Sequence, residues 1–153
     1  MFVLKLAFVF FHQDKIDVWE DDVIARNMLE TEEMFYMQRG TPNYMFQFPV
    51  YPYFLFSVYK IFGYDPLYAI VVNLVIISVT SFLLYKIFID ICTMLGLELR
   101  RVKLELLAFI SVLVFLVHPF IVFYSMFKVH PFILDMFFPV LMIFLSLRFL
   151  LKP

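Results

Sequence analysis

Residues 67–89 read LYAIVVNLVIISVTSFLLYKIFI. The only charge in this run is Lys86, near its end. Asn73, Ser78, Thr80 and Ser81 are its milder polar residues. A helix of this length spans the roughly 30 Å hydrocarbon core of a bilayer. The run therefore decides the class: membrane, and helical. The rest of the composition agrees. The 153 residues are 64% hydrophobic, with a mean hydropathy of +0.93. Soluble domains lie nearer half apolar. The apolar residues fall in long runs rather than in alternation, which favours spanning helices over strands.

Outward from that run, two more stretches can span. Residues 104–127 are apolar, with a kink expected at Pro119 because proline has no N–H to donate. Residues 131–151 form another, with Pro139 inside and Arg148 and Lys152 at its end. At the start of the chain, residues 2–11 are apolar except for Lys5. They are too short to cross alone. A charged start before a short apolar stretch fits a signal peptide, but no small residues mark a cleavage site after it. The expectation is the back half of a spanning helix whose start is short or missing. The predicted fold is an all-α membrane protein, a polytopic helical bundle with an outward acidic juxtamembrane helix. It forms one transmembrane domain over residues 1–153, in which residues 12–66 are an outward loop.

That loop holds most of the charge. Asp14, Asp17, Glu20, Asp21, Asp22, Glu30, Glu32 and Glu33 are eight of the 13 carboxylates. Asp17 followed three residues later by Glu20 predicts a capping box and a helix to about Glu33. On that helix Asp17 and Asp21 share a face. Gly40, Thr41 and Pro42 break it. Residues 48–62 are apolar and aromatic behind Pro49 and Pro52, and read as a helix at the membrane interface. Residues 63–66 are a turn. Lys86, Arg100, Arg101, Lys103, Arg148 and Lys152 fall at the ends predicted to be cytoplasmic by the positive-inside rule. Lys15, Arg26 and Arg39 lie in the acidic loop and weaken that bias. With this orientation the acidic loop and the 128–131 corner face the same outward side. That topology is the expectation from which the site follows.

Several classes are excluded. A net charge of −1 gives no basic surface for nucleic acid. A single cysteine, Cys92, excludes a disulfide framework and a cysteine zinc site. The middles of the spans lack charge, which argues against a transporter path.

In order and spacing, Asp17, Ala25, Met28-Leu29, Pro49-Val50-Tyr51-Pro52 and Phe62-Gly63 resemble the N-terminal part of the GT-C integral-membrane glycosyltransferases. The nearer likeness is to the protein mannosyltransferases and the aminoarabinose transferases. The chain departs from that pattern where an Asp-Glu pair is usual, since Val18 follows Asp17. It departs again where an acidic residue is usual at the outer corner, since His130 stands there with Asp135 beyond.

The resemblance implies transfer of a sugar from a polyprenyl-phosphate donor to an acceptor on the outer or lumenal side. It implies a multi-pass protein of a cell membrane, a bacterial inner membrane first, in contact with membrane lipid. It also implies further spans, so that this chain is an N-terminal fragment, a truncated product or one piece of a split enzyme with a second polytopic chain. Asp17 is the first candidate catalytic base by its place in that pattern, with Asp21 and Asp22 next. A carboxylate pair held close raises one pKa toward neutrality, as a base needs. Lys128, His130 and Asp135 are the candidate substrate-binding residues at the lipid phosphate. A divalent metal, Mg or Mn, is compatible with Asp17, Asp21, Asp22 and His130, though no spacing dictates a site. The tyrosines Tyr36, Tyr44, Tyr51, Tyr53 and Tyr59 read as an aromatic belt, or as a stacking surface for a sugar. Asn73 is expected to hydrogen-bond a neighbouring helix. The competing expectation is a non-catalytic membrane subunit or partner-binding piece of a split complex.

Overall fold

The computed structural model describes residues 1–38, 40–44, 50–97 and 100–151. Arg39, Phe48, Pro49 and Lys152, each part of an expectation above, lie outside the described residues. Within them the chain folds as seven α-helices and one short hairpin. The all-α class stands. Helices α4 (Pro66–Met94) and α7 (Phe132–Leu150) are each long and apolar enough to cross a membrane. Helices α5 (Arg101–Val117) and α6 (Pro119–Met126) together make a third such length, bent by 61° at their junction. The cause of the bend is local. Pro119 cannot donate to the ladder, and His118 before it takes an extended ψ of 131°.

Helix α4 is the axis of the fold. Asp65 caps it by accepting from the Leu67 N–H at 2.8 Å, and Pro66 fills the first helical position. Its hydroxyls are satisfied within the helix. Ser78, Thr80 and Ser81 donate to the carbonyls of Leu74, Ile76 and Ile77 at 2.7–2.8 Å. Ile70, Leu74 and Ile77 are buried in a core shared with Leu55 of α3 (Val50–Phe62), Ile121 of α6 and Ile133 of α7. Helices α4 and α7 lie side by side, and Arg148 and Asp90 pair at 3.1 Å where their C-terminal ends meet. Helix α1 (Phe2–Phe11) packs on α4, and its buried Lys5 donates to Ser125 Oγ of α6 at 3.3 Å.

The acidic loop is where expectation and structure part. Helix α2 covers Glu20–Thr31, and its N-cap is Trp19, with no side-chain capping bond. Asp17 lies in extended backbone before it. The capping box is therefore not formed, and Asp17 and Asp21 do not share a helical face. What starts α2 is charge: Glu20, Asp21 and Asp22 fill a first turn whose free N–H groups favour carboxylates. It ends at Thr31, close to the expected Glu33, and Glu32 caps it in the left-handed region with φ 61°. The break at residues 40–42 is a hairpin, β1 (Tyr36–Gln38) against β2 (Thr41–Asn43), turned by Gly40 at φ 83°. Asn27 Nδ2 donates to the Phe35 carbonyl at 2.7 Å and ties this hairpin to α2. Helix α3 then packs along α2 and α4. Its buried Tyr51, Leu55, Val58 and Tyr59 recur at helical spacing and make one apolar face. Tyr51 and Tyr59 thus belong to the core and not to an exposed aromatic belt.

Candidate functional site

The acidic loop and the 128–131 corner meet. Asp17 N–H donates to the Phe127 carbonyl at 2.6 Å, and Val129 N–H donates to the Asp17 carbonyl at 3.0 Å. These two bonds form a parallel bridge between Asp17 and Lys128. Lys128 Nζ also stands 3.4 Å from Asp17 Oδ2 and 4.2 Å from the centroid of the Trp19 ring. Magnitudes rank these contacts. The carboxylate of Asp17 is 59% exposed, so the ion pair is worth less than about 1 kcal/mol. Two main-chain hydrogen bonds contribute about 0.5–1.5 kcal/mol each, and the cation over the indole adds a comparable amount. The joint is held chiefly by backbone and ring.

His130 is the next residue of that joint. Its ring lies 4.9 Å from Trp19 and 5.0 Å from Tyr124, centroid to centroid. Its Nδ1 accepts from the Phe132 N–H at 3.2 Å, at the start of α7. A backbone N–H only donates, so Nδ1 carries no proton and Nε2 carries it. Burial first, and then the Lys128 ammonium, push the imidazole below its ordinary range, while Asp135 pulls it up. His130 at neutral pH is therefore an uncharged donor.

The three candidate bases have different surroundings. Asp22 is fully buried and accepts hydrogen bonds from the hydroxyls of Tyr59 and, at 2.9 Å, Tyr64. Burial raises its carboxyl, and the two tyrosines and Arg26 oppose that. The Tyr64 hydroxyl is pushed up to about 12, first by burial and then by Asp22. Asp22 thus fastens α2 to α3 and to the turn before α4. Asp17 is taken up by Lys128. Asp21 is half-buried and free of such ties among the described residues. Its carboxyl is raised by burial first, then by Glu20 and by Asp135 of α7. Asp135 itself is exposed, one turn into α7, and is not paired with Lys128 as an ion pair.

Near these carboxylates lie two buried polar groups, Asn73 and Tyr51. Asn73 is completely buried, and neither its amide oxygen nor its nitrogen makes a hydrogen bond. The group it faces on the neighbouring helix α3 is the Tyr51 hydroxyl. The hydroxyl of Tyr51, 4% exposed, also lacks a bond of full hydrogen-bond geometry. Its polar neighbours are the Asn73 amide and the main chain of His130, and the charges of Asp21 and Asp22 also reach it. Leaving a buried polar group unsatisfied costs about 1–3 kcal/mol. The sequence signal for Asn73 was its isolation in an apolar run, and for Tyr51 its place in the Pro49-Val50-Tyr51-Pro52 entry to α3.

No three or more His, Cys, Asp or Glu side chains gather as a metal site among the described residues. Asp17, Asp21, Asp22 and His130 are thus neighbours in the fold but not one ligand set, and nothing in the chemistry below is routed through Mg or Mn. Of the five tyrosines, Tyr53 and Tyr44 remain exposed, and Tyr44 donates to Glu33 at 3.3 Å. Trp19, the chain's one tryptophan, joins Lys128 and His130, and no local sequence pattern marks it for that role. No known protein family, no curated protein and no solved structure matches this chain.

Proposed function

We propose that this chain is a polyprenyl-phosphate-sugar glycosyltransferase, or part of one, acting on the outer or lumenal side of a membrane. The observation that carries this reading is the Asp17–Lys128 joint. It brings Lys128 and the neighbouring His130 to the start of the acidic helix, whose first turn carries Asp21 with its raised carboxyl, in a chain with apolar helices of spanning length. Glycosyl transfer from a lipid phosphate asks for those three groups together. The GT-C resemblance of the sequence supplies the reaction class.

In this reading Asp21 is the base. It takes the proton of the acceptor hydroxyl as the hydroxyl oxygen bonds to the anomeric carbon. The bond from that carbon to the lipid phosphate breaks, and the phosphate leaves with the electron pair. Lys128 and the Nε2–H of His130 receive the developing charge. Burial and the neighbouring Glu20 and Asp135 tune Asp21 upward, toward the pH at which a base is effective. Asp17 positions Lys128, and Asp22 holds α2 in place. The test is transfer from a polyprenyl-phosphate sugar in proteoliposomes with Asp17, Asp21 and Asp22 replaced singly by Asn. Loss at Asp21 is expected. Unchanged transfer in all three would remove the catalytic role.

A second reading has its own observation. Only 11% of the most apolar window of α7 is buried within the chain, and Phe138, Met142 and Phe149 are exposed. A non-catalytic membrane subunit could set that face against a second polytopic chain. Co-purification of such a chain, with transfer activity only in the complex, would favour it.

A further inference from the structure

The Asp17 carboxylate is the outer member of its pair with Lys128. Its side chain is 59% exposed, against 17% for that of Lys128. Rings wall the ammonium elsewhere: Nζ stands 4.2 Å from the centroid of Trp19 and 5.8 Å from that of Phe123. Among the described residues Asp17 is the one carboxylate within ion-pair distance of it. An anion arriving from water therefore reaches the ammonium by taking the place of that carboxylate.

The pair is loosely made. Its 3.4 Å separation exceeds the roughly 2.7–2.9 Å of a charge-assisted hydrogen bond. The main-chain bridge is closer, at 2.6 and 3.0 Å, and uses no side-chain atom of residue 17. The carboxylate can swing away while residues 17 and 128 stay joined. Trp19 and His130, whose rings meet at 4.9 Å, stay with them. The swing leaves the ammonium over the indole with one open side, beside the His130 ring.

We propose that the Asp17 carboxylate is an internal plug that fills the phosphate position at Lys128 and yields it to an incoming phosphate. This deepens the glycosyl-transfer reading and rests on it. It orders the events: phosphate arrives, Asp17 leaves, and Lys128 is then free to take up charge from the departing group. A carboxylate offers one negative charge on two oxygens. A phosphomonoester, which the lipid becomes as it departs, carries about −1.5 to −2 on three acceptor oxygens. It is the stronger partner for the ammonium, whether on a lipid or free in water. Zwitterionic headgroups are weaker partners and leave the plug in place.

The test follows the emission of Trp19, the chain's one tryptophan, in the full chain in phosphatidylcholine nanodiscs. One arm adds inorganic phosphate at constant ionic strength, and the other adds undecaprenyl phosphate. Each is run on the wild type, Asp17→Asn and Lys128→Gln. Asp17→Asn should bind phosphate about threefold tighter or more, the worth of removing a competing exposed ion pair. Lys128→Gln should lose the response. A purely positioning role for Asp17 predicts the opposite sign, because Lys128 would then lose its guide. Circular dichroism checks folding, and Asp17→Ser replaces Asp17→Asn where that variant does not fold. Equal or weaker binding by the folded variant, no response in any chain, or a response retained in Lys128→Gln overturns the plug. Tighter binding of the lipid alone upholds the plug and makes the lipid its source of phosphate. Tighter binding of inorganic phosphate alone upholds the plug and sinks the lipid-phosphate transfer reading.

Discussion

Asp17 and Lys128, more than a hundred residues apart in the chain, are joined twice: by a parallel main-chain bridge and by an ion pair at 3.4 Å. The bridge runs through backbone atoms that any side chain at residue 17 would keep. Asp17→Asn should therefore cost less than about 1 kcal/mol of stability. Lys128→Ala should cost more, about 1–2 kcal/mol, because the cation over Trp19 goes as well. Thermal unfolding of the two variants in detergent checks the order. A larger loss at Asp17 would show that the ion pair, and not the backbone and ring, holds the joint.

Asp22 is the more costly carboxylate to remove. Asp22→Ala leaves the Tyr59 and Tyr64 hydroxyls without an acceptor, at about 1–3 kcal/mol for each that stays buried. Combining it with Tyr59→Phe should recover part of the loss, since the orphaned hydroxyl is then gone. The double-mutant cycle measures this coupling. Additive losses would deny the fastening role.

Asp21 should show its importance in rate and not in stability. Asp21→Asn is expected to leave the unfolding temperature nearly unchanged and to lower transfer by about 10²–10⁴-fold, the worth of a positioned base. Its raised carboxyl sets a sign. The base is fully active only above a pKa higher than the ordinary 3.8, so the acid limb of the rate profile shifts to higher pH than for a free aspartate. Asp135→Asn removes one cause of that rise and should move the limb back toward acid.

His130 gives a pH dependence of stability. Its folded pKa lies below the unfolded 6.5, so the unfolded chain binds the proton more readily. The stability it contributes is complete above about pH 6.5 and is lost as the pH falls through the lowered folded value. Protonation of Nδ1 also breaks the bond from the Phe132 N–H. Lys128, Asp135, Trp19 and Tyr124 all face the ring, and of these Lys128 deepens the effect while Asp135 offsets it. Unfolding measured across that range should be shallower in His130→Asn than in the wild type.

The spans were legible because hydropathy over long runs is a local property. The expected start at Leu67 falls one residue inside α4, and Pro119 marks the break between α5 and α6. The joining of residue 17 to residue 128 had a basis only in topology, which argued that both lay at one end. The details of the acidic loop were not legible. The Asp17 and Glu20 spacing fits a cap, but Asp17 is held outside the helix by main-chain bonds to the distant 127–129 corner, which no local pattern encodes. The same holds for Asp22. Only the fold brings Tyr59 and Tyr64 to it, and nothing in the run of acids distinguishes it from Asp21. The fate of Asn73 depends on which groups from α3 reach α4, again a matter of packing and not of sequence.

Glycosyl transfer at this site requires residues 20 and 130 to share one aqueous compartment, with Arg101 in the other. The direct measurement uses Glu20→Cys, His130→Cys and Arg101→Cys, each in a Cys92→Ser background, labelled in intact cells or sealed vesicles by a membrane-impermeant maleimide. Labelling of the first two from the outer face, and of the third only after permeabilisation, is the predicted result. Labelling of residues 20 and 130 from opposite faces would contradict the site and the transfer reaction built on it.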